Sequence, residues 1–148
     1  MKLKVLGSGS SGNCYILESD AEALVIEAGL PFKEVKIALD FNISKIVGMI
    51  CTHSHKDHSG FVAEYKRVGI PVFEPFRNDG QALEFSHSEF KIQAFPNQDK
   101  GGKWLHGNND GTECPCYGFY IQYPDIGSLV YVTDTEYVRW RFQNVNHI

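Results

Sequence analysis

The chain has 148 residues, of which 43% are hydrophobic and 22% charged, and its formal net charge is −4. That length suits one domain with a core of its own, spanning residues 1–148, and the apolar share excludes disorder over most of it. No run approaches the ~18 apolar residues of a membrane span, and the N-terminus lacks the apolar stretch of a signal peptide, so a soluble, cytoplasmic protein is expected. The small acid excess does not advertise a polyanion binder, although bound dications and local patches would count for more than the sum.

In chain order, Lys2–Leu6 alternates like a first strand. The glycine and serine loop Gly7–Asn13 follows, then strands at Cys14–Leu17 and Ala23–Ile26. Pro31 stands where helices begin well, and Phe32, Val35, Ile37 and Leu39 give a helical apolar face up to Asp40. Lys45–Cys51 is a continuous apolar run, the pattern of a buried strand. Phe61–Val68 reads as a helix stopped by Gly69, with Pro71 soon after. Pro71–Glu74 and Phe90–Phe95 read as strands, and Asn97–Thr112 as a long loop of the kind that is often functional. Tyr117–Tyr123 and Ser128–Thr133 form a hairpin, and Thr135–Asn144 is expected to be a short helix. The order of strands and helices indicates an α/β (α+β) sandwich with mixed sheets.

The four cysteines do not suggest a disulfide framework. Cys14 and Cys51 lie in apolar runs and read as buried thiols. Cys114-Pro115-Cys116 lacks the two-residue spacer and the second pair of a zinc knuckle.

The chemistry is concentrated in His53-Ser54-His55-Lys56-Asp57-His58, directly after the buried strand. Three of the chain's six histidines and one carboxylate fall within six residues there. Such a group is costly to bury in an apolar core, but on a loop at a strand end it converges readily on ions.

This pattern resembles the H-x-H-x-D-H motif of the metallo-β-lactamase superfamily. The segments GSGSSGNCYIL and YVTDTEY are similar to a subgroup of bacterial and phage proteins related to the WalJ-like exonucleases, and the likeness runs from Leu3 to about Ile148. The resemblance implies an αββα sandwich of two mixed sheets and two divalent metal ions, zinc first, with manganese or iron as alternatives. It places His53 and His55 on the first metal and Asp57 and His58 on the second. His106, in the glycine-rich loop, matches the third histidine of the first metal, and Asp134 the bridging aspartate. His87 and His147 are expected to lie outside the site.

Two departures stand out. Glu27 occupies a supporting position where the family usually has aspartate. The family also supplies one more histidine to the second metal, beyond the bridging aspartate, and the chain ends first. A domain truncated at its C-terminus, lacking its last strand or strands and helix and leaving an exposed sheet edge, is therefore expected.

Water on a bound dication ionises near pH 7 rather than ~15.7, so the resemblance implies hydrolysis by metal-activated water, with Asp57 as the catalytic residue that orients it. The Gly7–Asn13 loop allows substrate to approach the backbone, and it is not a phosphate-binding P-loop because no Gly-Lys-Ser/Thr follows. The fold serves many bond types. The WalJ-like resemblance favours phosphodiester cleavage in DNA, with nucleic acid as the partner. Lys56, Lys66, Arg67 and Arg77 are candidate phosphate contacts and Trp104 a candidate base platform, each set against the plainer role of surface charge or loop packing. The alternatives are an ester, thioester or lactam hydrolase, and a non-catalytic metal-binding domain.

Overall fold

The computed structural model describes residues 1–77 and 83–148, with residues 83 and 84 described by their backbone alone. Its described residues group into two compact units that the chain enters more than once. The first holds Met1–Cys51, His55–Phe73 and Phe85–Ser88; the second holds Thr52–Ser54, Glu74–Glu84 and Glu89–Ile148.

The first unit is built on a five-stranded sheet: β1 (Lys2–Gly7), β2 (Cys14–Glu18), β3 (Ala23–Ile26), β4 (Ile46–Ile50) and β5 (Val72–Phe73), in that order across the sheet. β1, β2 and β3 are antiparallel, whereas β3, β4 and β5 run parallel. All four residues of β3 are buried, which is why its sequence, Ala-Leu-Val-Ile, does not alternate. β1 lies at the edge, with Leu3 and Val5 exposed, and Glu18 on β2 holds Lys4 at 2.6 Å and Lys45 at 2.8 Å.

Helix α1 (Phe32–Ala38) buries Phe32 and Val35. Pro31 caps it instead of opening it, a one-residue difference of the sort that frayed helix ends produce. After β4 come two short helices, α2 (Lys56–Ser59) and α3 (Val62–Arg67). The second is the helix expected over Phe61–Val68, closed by Gly69 at φ +81°.

The second unit carries a four-stranded antiparallel sheet in the order β6 (Leu83–Glu84), β7 (Lys91–Pro96), β8 (Tyr117–Tyr123), β9 (Gly127–Tyr131). β8 and β9 are the expected hairpin. Phe90, Ile92, Phe119, Ile121, Tyr123 and Val130 are buried in this unit, the Phe90 and Tyr123 rings 4.4 Å apart.

The helix expected over Thr135–Asn144 does not form. Its backbone is irregular, and Asp134 and Asn144 at its two ends take left-handed φ values of +50° and +56°. Its side chains serve the sheet instead. Trp140 Nε1 donates to the Pro96 carbonyl at 2.8 Å, the Arg139 guanidinium donates to the Asp99 carbonyl at 3.0 Å, and Phe142 packs against Phe95 at 5.0 Å. Beyond it the Val130 N–H donates to His147 O at 2.9 Å, so the last residues pair with β9. Among the described residues no helix is long and apolar enough to cross a membrane.

Candidate metal centre

In the second unit the site begins where the chain leaves β4. The Tyr117 N–H donates to Thr52 O at 3.0 Å, which fixes Thr52–Ser54 at the start of β8. His53 is wholly buried. Its Nδ1 lies 2.8 Å from the Thr52 hydroxyl and 3.7 Å from Cys116 Sγ, while its Nε2 faces Asp134, with Oδ2 3.6 Å away. The His106 ring meets His53 edge-on, centroids 4.6 Å apart at 75°. A ligand atom of His53 thus comes within 4.8 Å of one on His106 and of one on Asp134. Asp134 is exposed and is delivered by the left-handed turn after β9.

The loop that carries His106 is ordered by its own hydrogen bonds. Leu105 N donates to Asn97 O at 3.0 Å, Cys114 N to His106 O at 2.9 Å, and Asn97 N to Cys116 O at 2.9 Å. Trp104 is half-buried and packs on Tyr117, ring centroids 5.2 Å apart.

The first unit supplies the rest of the motif. His55 caps α2, and its carbonyl accepts the N–H groups of His58 at 3.0 Å and Ser59 at 2.8 Å. That tight turn sets Asp57 Oδ2 3.5 Å from His58 Nε2. His58 is 1% exposed, and its Nδ1 lies 3.3 Å from Oε1 of Glu27, a carboxylate with no exposed surface.

Two backbone bonds lock this turn onto the segments beside β2 and β3, and a third ties those segments to each other. Asn13 N donates to Asp57 O at 2.7 Å, Ala28 N to His58 O at 2.6 Å, and Gly29 N to Asn13 O at 2.9 Å. A Cβ at Gly29 would collide with the Asp57 carbonyl, so the packing admits only glycine there. Beneath it, burial pushes the Cys14 thiol up to about 12, with nearby Glu27 acting in the same direction. Cys14 is therefore a neutral packing group and not a thiolate ligand.

Sequence reasoning noticed Glu27 as a departure and Asn13 only as loop. The structure makes both direct neighbours of His58, Asn13 through Nδ2 at 3.1 Å from Nε2. The available signal was a lone amide and a lone acid, each beside a fully buried strand end. His87 is exposed in a turn, with φ +59°. Of the candidate phosphate contacts, Lys56, Lys66 and Arg67 are exposed, and Arg77 is paired with Glu74 at 3.0 Å.

The donor chemistry suits divalent metal ions. In each unit a buried imidazole is held at one ring nitrogen and has a carboxylate beside the other, the setting in which imidazole acts as a ligand.

Residues 7–139 match the family described as the Metallo-beta-lactamase superfamily. The exodeoxyribonuclease YycJ of Bacillus anthracis is 31% identical over 159 residues, covering 98% of this chain and 58% of that protein. The exodeoxyribonuclease WalJ of Streptococcus pneumoniae is 27% identical over 156 residues, with 97% and 58% coverage. The chain thus spans 58% of the length of these curated relatives. Among solved structures, the metallo-beta-lactamase fold protein YhfI from Bacillus subtilis superposes with a TM-score of 0.60 at 17% identity, covering 93% of this chain and 63% of that one, which is a likeness of fold.

Proposed function

The chain belongs to the metallo-beta-lactamase superfamily, and from that premise we propose that it is a cytoplasmic, metal-dependent phosphodiesterase acting on DNA, folded as one domain over residues 1–148. The carrying observation is that both buried histidines of the motif have one ring nitrogen engaged by a neighbour, His53 Nδ1 by Thr52 and His58 Nε2 by Asn13, and a carboxylate beside the other. The names of the relatives that match nearly the whole chain support DNA as the substrate.

In this reading His53, His55, His106, Asp57, His58 and Asp134 would be the metal ligands. When bound, the two ions, zinc first and manganese or iron as alternatives, supply a hydroxide near neutral pH and a Lewis acid for a phosphate oxygen. The chain's residues do the rest. The Asp57 carboxylate accepts a hydrogen bond from the attacking water and aims it at phosphorus. Thr52 and Asn13 keep the two imidazoles from turning.

The test combines metal content by plasma mass spectrometry with cleavage of end-labelled DNA. About two ions per chain are expected. Cleavage should stop with a chelator and fall about 100-fold or more in His55→Ala, beyond the 10–100-fold typical of supporting residues. Turnover of an ester, thioester or lactam with DNA untouched would overturn the nuclease reading, and a chain that takes up no metal after zinc addition would overturn the site.

A further inference from the structure

Asn13 is 7% exposed, and its carboxamide is oriented by groups whose hydrogen-bonding sense is fixed. Its Oδ1 accepts from the Gly9 N–H at 3.0 Å and the Tyr15 hydroxyl at 3.4 Å. Its Nδ2 faces two carbonyl oxygens, Gly9 O at 3.1 Å and Asp57 O at 3.3 Å. A backbone N–H only donates and a carbonyl only accepts, so these partners determine which end of the amide is nitrogen. That nitrogen end is the one beside His58.

One Nδ2 proton goes to Gly9 O. The other is shared among Asp57 O, Asp57 Oδ2 at 3.5 Å and His58 Nε2 at 3.1 Å, the nearest of the three. An amide NH₂ carries protons and no usable lone pair, so it can bond to Nε2 only when that nitrogen is unprotonated. Across the ring, Nδ1 lies 3.3 Å from a Glu27 carboxylate oxygen, an acceptor. The amide contact sets the demand, a lone pair on Nε2, and the proton this leaves on Nδ1 is then on the Glu27 side of the ring.

We propose that Asn13 is a positioning residue that selects the Nδ1–H tautomer of His58 and keeps its Nε2 lone pair on the side of the Asp57 carboxylate. The tautomer belongs to the metal-free chain. Only its consequence rests on the reading of His58 as a ligand: the imidazole is set for a cation before one arrives, and the cation displaces an amide hydrogen bond instead of reversing a ring. Asn13 also ties the glycine loop to the motif, since it bonds Gly9 in both directions and Asp57 through its backbone N–H.

Long-range proton–nitrogen NMR of the imidazole, on chelator-stripped protein, tests this directly. In the wild type His58 Nε2 should read as pyridine-like and Nδ1 as pyrrole-like. Asn13→Asp puts an acceptor where the donor was and should draw a proton to Nε2. Should that variant fail to fold, Asn13→Ser keeps a short polar group beside Gly9 and loses the reach to His58; it should show a mixture of tautomers. Zinc affinity, by competition with a chelating dye, should fall about 10–100-fold in Asn13→Ser. A wild-type Nε2 that carries the proton would overturn the inference, as would variants with unchanged ring signals and unchanged zinc affinity. A wild type with the expected tautomer that cleaves no DNA would uphold the inference and remove the nuclease reading, so the two failures are distinguishable.

Discussion

Thr52 and Gly29 show how much of the site rests on single atoms. The Thr52 hydroxyl, 2.8 Å from His53 Nδ1, is buried and holds the ring that faces Asp134. Thr52→Val keeps the shape and removes the bond. It should weaken zinc binding about 10–100-fold and destabilise the fold by about 0.5–1.5 kcal/mol through the lost hydrogen bond; Thr52→Ser should restore both, as read by dye competition and urea unfolding. Gly29→Ala forces a Cβ into the Asp57 carbonyl. A loss of about 1–3 kcal/mol is expected from overpacking, and with it one ion per chain, because the displaced residue belongs to the Asp57–His58 pair. Retention of full metal content in that variant would show that the turn has slack. These residues also mark the limit of reading a sequence. His53, His55, Asp57 and His58 were legible because they are contiguous and chemically unusual together. Asn13 was not, because its neighbour Asp57 is 44 residues away and only the folded chain makes them touch.

Among the elements, strands were the most legible, because β3, β4, β7, β8 and β9 are set by apolar runs and by the turn before Gly127. The segment Thr135–Asn144 was misread because aromatic and basic residues at near-helical spacing look alike whether they face a helix partner or clasp a sheet. Phe142 stands parallel to Tyr120 at 6.2 Å and packs on Phe95. Phe142→Ala should remove roughly 1–2 kcal/mol, less than a core phenylalanine because the ring is half-exposed, and should speed hydrogen exchange in β7. Unaltered exchange there would mean that the segment clasps nothing. At the edge of the other sheet, Lys4 and Lys45 hold the Glu18 carboxyl below its ordinary value of 4.5 through their hydrogen bonds. A depressed carboxyl stabilises the fold above its unfolded-state value, and the benefit disappears as pH falls through the folded one. Glu18→Gln should therefore cost about 0.5–1 kcal/mol at pH 7, the scale of partly exposed pairs, and the cost should shrink steadily as acid titrates the carboxyl in the folded state. A difference that does not shrink in acid would point to packing instead of charge.

For the molecule as a whole, the motif that reads as one string in the sequence is divided between two compact units. His55, Asp57 and His58 belong to one; His53, His106 and Asp134 belong to the other. No periodicity announces that division, since a one-dimensional pattern carries no record of which unit a residue joins. On the proposed ligand assignment, zinc binds the folded chain and not the unfolded one. Zinc at 100 times its dissociation constant then adds about 2.7 kcal/mol, which for a chain of this size raises the melting temperature by roughly 5–10 °C. Calorimetry across a zinc series should show that rise, and a chelator should reverse it. The informative comparison is between His53→Ala and His58→Ala. Each should remove a large part of the zinc-dependent rise if both imidazoles are ligands, whereas a rise that survives either substitution in full would strike that histidine from the assignment.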